Sequence, residues 1–73
     1  INVRATEPAR FREFAPIVQA ISRVERELGE GGRVLVRPSG TEPLVRVMVE
    51  GRDGPLIERH ARAIAEIVGA QMG

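Results

Sequence analysis

Arg33-Val34-Leu35-Val36-Arg37-Pro38-Ser39-Gly40-Thr41-Glu42-Pro43-Leu44-Val45-Arg46-Val47-Met48-Val49-Glu50 is the stretch that decides the fold. From Leu44 to Glu50 the residues alternate. Val45, Val47 and Val49 fall on one side of an extended chain, and Arg46, Met48 and Glu50 on the other. That is the period of a strand with one buried face. Arg33 to Arg37 is a second run built on Val, Leu and Val, residues that suit a pleated surface. Pro38 to Pro43 is too polar and turn-rich to be a strand. The two runs therefore predict an antiparallel hairpin closed by a long loop.

Upstream, Phe14, Ile17, Val18, Ile21, Val24 and Leu28 recur at helical spacing and predict a helix from Phe14 to Leu28. Pro16 is tolerated only in its first turn, and Gly29, Gly31 and Gly32 end it. Ala5 to Arg12 reads as a connector or a frayed helix start. Ile1 to Arg4 reads as a short strand. Downstream, Gly51 to Gly54 is a turn, with Asp53 as N-cap and Pro55 just inside the next helix. Leu56, Ile57, His60, Ala61, Ile64, Ala65 and Val68 form its apolar stripe. Gly69 to Gly73 is expected to fray. The order is β-α-β-β-α. The expected fold is α+β: a small open-faced two-layer sandwich of about three strands, with two helices on one face. The other sheet face is left open for a neighbouring strand or domain.

Composition narrows the function. Seventy-three residues make one small domain with a marginal core. The absence of cysteine excludes disulfides and thiolate metal sites, and one histidine excludes a histidine cluster. Eleven arginines against ten acids leave a net charge of +1, with no basic stripe for a duplex. Two Phe and no Tyr or Trp give no stacking platform for single-stranded nucleic acid. No apolar run approaches about 20 residues, so no membrane span is expected, and no signal peptide is visible. The chain begins with Ile inside a strand-like segment. Residues 1–73 are therefore read as one domain excised from a longer protein.

The loop carries the chemistry. Arg37 ends one strand and Arg46 lies near the start of its partner, so pairing brings both to the loop mouth. A forked guanidinium donates two parallel hydrogen bonds to phosphate oxygens. Gly40 allows a tight turn or positive φ, which would aim successive N–H groups at an anion. Ser39 and Thr41 add hydroxyls, and Pro38 and Pro43 stiffen the loop. Glu42 would repel an anion, so it is expected to orient an arginine or a backbone N–H. The alternative is an ordinary polar hairpin turn. His60 is expected at the edge of the core.

Arg-Pro-Ser-Gly-Thr-Glu-Pro at 37–43, followed by Leu-Val-Arg-Val-Met-Val-Glu-Gly at 44–51, resembles the C-terminal domain of the α-D-phosphohexomutases. Within that family it is most similar to the bacterial phosphoglucosamine mutases. Asn2-Val3-Arg4 matches the domain's first strand. Glu27-Leu28-Gly29, with Gly32-Arg33-Val34-Leu35, matches its helix-to-strand passage. The resemblance implies a cytoplasmic enzyme that interconverts the 6-phosphate and 1-phosphate of a hexose through a bisphosphorylated intermediate. Its phosphoserine and its Mg²⁺ sit in other domains. The C-terminal domain binds the non-reacting phosphate and closes over the sugar. Carried over, Arg37, Ser39, Gly40, Thr41 and Arg46 are the phosphate contacts.

No catalytic and no metal residue is expected in this chain. Ser22 and Ser39 are its only serines and lack catalytic-serine surroundings, and Asp53 is its only aspartate. The implied partners are a phosphosugar and the other domains of the parent chain, without nucleic acid or membrane. Other readings stay open: a phosphomannomutase or phosphoglucomutase domain, a stand-alone interaction or nucleic-acid module, or a domain sensing a phosphorylated ligand. An upstream catalytic-serine motif and an aspartate-rich metal run would mark the mutase.

Overall fold

A computed structural model describes residues 1–73. The elements are β1 (Asn2–Arg4), α1 (Ala15–Leu28), β2 (Arg33–Pro38), β3 (Leu44–Glu50) and α2 (Gly54–Met72). All strand pairs are antiparallel, and the spatial order is β1-β3-β2. β3 thus enters between β1 and β2, which run parallel with one strand inserted between them. The α+β arrangement of three strands and two helices matches the expectation.

The alternation in β3 explains why the layers sit as they do. Val45 and Val47 are fully buried, and Val34 and Val36 of β2 lie beside them. These side chains meet Ile17, Ala20 and Val24 of α1 and Ala61, Ile64, Val68 and Met72 of α2. α2 packs on β3 and β1, α1 packs on β2, and the helices touch each other. Arg33, Arg37, Arg46, Met48 and Glu50 stay exposed on the other face. No helix is long and apolar enough to cross a membrane.

Local signals account for most boundaries. Pro16 lies in the first turn of α1, with Phe14 at the N-cap position. Gly29 ends α1 at φ 58°, a positive φ that favours glycine. The Asp53 carboxylate caps α2 by accepting from the Leu56 N–H at 3.1 Å. Gly32 serves a different purpose. A Cβ there would lie 2.3 Å from the Glu50 carbonyl oxygen, so only glycine lets the two strand ends come together.

Four expectations need correction. Ala5–Arg12, expected as a connector or a frayed helix start, is more ordered than either: Pro8–Glu13 forms a 3₁₀ helix that buries Phe11. The Arg12 guanidinium lies 5.0 Å from that ring's centroid. Nor does Gly69–Gly73 fray. α2 runs through Met72, which is buried, and the Met72 carbonyl accepts from the Thr6 N–H at 2.9 Å. Ile64, Val68 and Met72 form one stripe at i, i+4 and i+8, so core burial carries the helix past Gly69. Val18, placed on the buried stripe, is exposed, and Ala20 takes the inner position. β2 reaches Pro38, one residue further than expected. His60 does lie at the core edge, with its side chain 13% exposed. Its Nε2 approaches Glu27 Oε2 of α1 at 3.3 Å, a partner not visible from sequence.

Two substitutions test this packing by urea unfolding. Ile64→Ala removes a fully buried side chain and is expected to cost about 2–5 kcal/mol. That is a large share of a small domain's roughly 5 kcal/mol, so the variant should be largely unfolded at room temperature. Gly32→Ala should also destabilise, because backbone oxygen occupies the space its methyl needs. A Gly32→Ala midpoint equal to that of the parent would show that the strand ends do not meet as described.

Candidate functional site

The hairpin register brings two arginines face to face. Arg37 of β2 pairs directly with Arg46 of β3, and Asn2 of β1 pairs with Arg46 from the other side. Neither arginine makes an ion pair. Like charges directly opposite in a sheet repel, so this row is unfavourable for the isolated chain. At the far end of the same face the outcome is reversed. Arg33 stands opposite Glu50, and its Nε donates to Glu50 Oε2 at 2.9 Å. That hydrogen bond holds the Arg33 guanidinium even more firmly protonated than usual. Between the two ends, Leu35 pairs with Met48.

The loop from Ser39 to Pro43 is fixed by its own hydrogen bonds. The Ser39 N–H donates to the Leu44 carbonyl at 2.9 Å and closes the hairpin. Ser39 Oγ accepts from the N–H groups of Thr41 at 3.4 Å and Glu42 at 3.3 Å. This is a local side-chain-to-backbone turn within the loop. On the other side, the Ala5 N–H donates to the Pro43 carbonyl at 2.9 Å, tying the loop to the end of β1.

Gly40 does not adopt positive φ; the chain bends there instead. The N–H groups of Ser39, Thr41 and Glu42 are engaged within the chain. The Gly40 N–H has no partner, and a Cβ on Gly40 would meet nothing within 4 Å. The fold therefore leaves open space at Gly40. The Ser39 hydroxyl is occupied as an acceptor, while its own proton is free to donate. Glu42 makes no ion pair, contrary to the expected role in orienting an arginine.

What the loop end offers is two unpaired guanidiniums, one free N–H and two small hydroxyls. All five sequence-identified residues lie at one end of the molecule: Arg37 and Arg46 on the open face, and Ser39, Gly40 and Thr41 in the loop they border. That set can hold an oxyanion through charge-assisted hydrogen bonds. It contains no nucleophile with an activating base. No group of three or more His, Cys, Asp or Glu in the chain could hold a metal ion. Sequence reading missed Arg4, which sits opposite Leu44 on the same face. Only the strand order reveals it, since Arg4 and Arg46 are far apart in the chain.

The chain is similar to bacterial proteins over all or most of its length. It is 49% identical to the phosphoglucosamine mutase of Staphylococcus epidermidis over 73 residues, all of this chain and 16% of that protein. It is 59% identical to the phosphoglucosamine mutase of Aromatoleum aromaticum over 68 residues, 93% of this chain and 15% of that protein. Identity to the Bacillus subtilis phosphoglucosamine mutase is 45% over 73 residues, again 16% of the relative. The chain thus spans about one-sixth of the length of these relatives. Residues 1–67 match the family described as phosphoglucomutase/phosphomannomutase, C-terminal domain, and it is to this family of phosphohexomutase C-terminal domains that the chain belongs.

Proposed function

We propose that residues 1–73 are the substrate phosphate-binding C-terminal domain of a phosphoglucosamine mutase. The proposed parent reaction converts glucosamine 6-phosphate to glucosamine 1-phosphate. The observation that carries this reading is the Arg37–Arg46 register beside the free Gly40 N–H. Two like charges held opposite one another call for an anion, and a phosphate dianion matches their forked donors.

In this reading Arg37 and Arg46 hold the phosphate that is not reacting. The Gly40 N–H and the hydroxyls of Ser39 and Thr41 complete its hydrogen bonds from the loop side. A phosphate anchored in this way fixes the sugar, so its reacting end is held at a set distance from chemistry supplied elsewhere. The implied Mg²⁺ would stabilise charge at the reacting phosphate. No residue set of this chain fits that ion, and no step described here passes through it. The partners are the phosphosugar and the other domains of the parent chain.

Amide NMR titration of the chain with inorganic phosphate tests the site. Gly40 should shift first, with Ser39 and Thr41 following. Binding should be about millimolar, because one wall alone must offset the entropic cost of holding the ligand. Charge-assisted hydrogen bonds contribute about 1.5–3 kcal/mol each, so Arg37→Ala should remove the shifts. Arg37→Lys should restore little, since an ammonium keeps the charge but loses the fork. Unchanged shifts in Arg37→Ala would reduce the loop to an ordinary turn.

Gly40→Ala separates binding from folding. The added methyl meets nothing in the chain, so the unfolding free energy should hold within about 0.5 kcal/mol of the parent, while phosphate affinity falls. A loss of stability with affinity unchanged would count against Gly40 as a contact.

The 73-residue chain by itself should give no glucosamine 1-phosphate from glucosamine 6-phosphate in a coupled assay. In a longer mutase carrying this domain, Arg37→Ala should lower kcat as well as raise KM, because an anchoring contact also positions the reacting end. Turnover by the pure 73-residue chain would overturn the assignment of binding without catalysis.

A further inference from the structure

The geometry points to Arg4 as a third guanidinium of the phosphate seat, closing it from the β1 side. This rests on the loop reading proposed above and extends it to a residue outside the hairpin. Arg4 is the last residue of β1 and pairs with Leu44. Its neighbour Val3 packs against the core, so strand alternation puts Arg4 on the open face with Arg37 and Arg46.

Two backbone hydrogen bonds place that position at the loop base. Ser39 N–H to Leu44 O, at 2.9 Å, joins β2 to the start of β3. Ala5 N–H to Pro43 O, also 2.9 Å, joins the end of β1 to the end of the loop. Ser39, Leu44 and Arg4 therefore form the row across the sheet nearest the loop, with half-buried Leu44 as its apolar floor. Arg37, Arg46 and Asn2 form the next row.

Arg4 is exposed and makes no ion pair. Glu7, the acid that shares a hollow with Arg4, is already held by Arg10 at 3.0 Å. Strands are spaced about 4.8 Å apart, so β1 and β2 stand about 10 Å apart across β3. Long arginine side chains from both can meet over Leu44 and Arg46. The ligand class is a phosphate monoester dianion, whose charge balances two of the three guanidiniums.

The test is a phosphate titration of the 73-residue chain by amide and arginine Nε–H NMR. It compares Arg4→Ala, Arg4→Lys, Arg37→Ala and Arg59→Ala, the last an exposed, unpaired arginine on α2. Unchanged amide dispersion establishes that each variant is folded. Arg4→Ala should weaken binding about tenfold, one charge-assisted contact discounted for exposure. In the parent chain the Arg4 Nε–H should shift on adding phosphate. Arg4→Lys should recover part of the affinity, and Arg59→Ala should match the parent.

The inference is overturned if Arg4→Ala binds like the parent while Arg37→Ala does not; the loop site then stands without Arg4. It is equally overturned if Arg59→Ala weakens binding as much as Arg4→Ala, because the effect is then general charge. If phosphate shifts neither Gly40 nor any arginine, or if Arg37→Ala changes nothing, the loop reading itself fails and Arg4 falls with it. Should Arg4→Ala prove unfolded, the Arg4 Nε–H shift in the parent decides alone: its absence alongside a Gly40 shift removes Arg4 from the site.

Discussion

The pairing of β3 along both of its edges is the constraint on which the rest of the chain depends. Val45 and Val47 are fully buried on one side, and Arg46 and Met48 are exposed on the other. A slip of one residue would carry the valines to solvent and Arg46 into the core. The cost of that exchange locks the register. Once the register is locked, Arg37 must stand opposite Arg46, and Asn2 must flank Arg46. The arrangement of polar groups on the open face is thus inherited from apolar burial on the closed one. Whatever that face binds, its spacing is set by the core.

How much of this was legible in the sequence depended on the range of the signal. β3 and its hairpin were readable because a period of two over seven residues is strong and local. The proximity of Arg37 and Arg46 followed from the same pattern. The placement of Arg4 did not. A three-residue strand has no period to detect, and its position beside β3 is a long-range choice made by packing. The continuation of α2 to Met72 was obscured by Gly69, which marks a stop only when the following residues have nothing to bury. Met72 has a place in the core. The His60–Glu27 contact joins two helices and has no local signature either. Within the loop, residue types suggested a cradle of N–H groups. The Ser39 side chain instead turns back on the backbone and engages two of them.

That inward turn changes how the loop serves a ligand. A loop whose N–H groups all face outward leaves them unsatisfied until something binds. Here Ser39 Oγ fixes the backbone at Thr41 and Glu42, and the Leu44 and Pro43 carbonyls anchor both ends. On the proposed reading these bonds pre-shape the loop, so less conformational entropy is lost on binding. Few backbone donors remain free, so on the proposed reading the burden of attraction passes to the arginines.

The open face shows that this burden is local. One strand pair, β2 with β3, carries an arginine at each end of its exposed row. At the far end the opposite residue is Glu50, and Arg33 is neutralised within the chain. At the loop end the opposite residue is another arginine. Both positions have the same backbone geometry and similar exposure, so an acid would fit equally well at either. Repulsion at the loop end brings the fold nothing, since no core residue depends on the identity of Arg37 or Arg46. A local conflict of this kind, in a chain whose other signals agree, is what the proposed binding role would leave in the sequence. On the proposed reading the conflict is relieved only when an anion sits between the guanidiniums. In that reading the exposed loop supplies a single wall, and full affinity would require other domains to close over the ligand and strengthen each charged contact by excluding water.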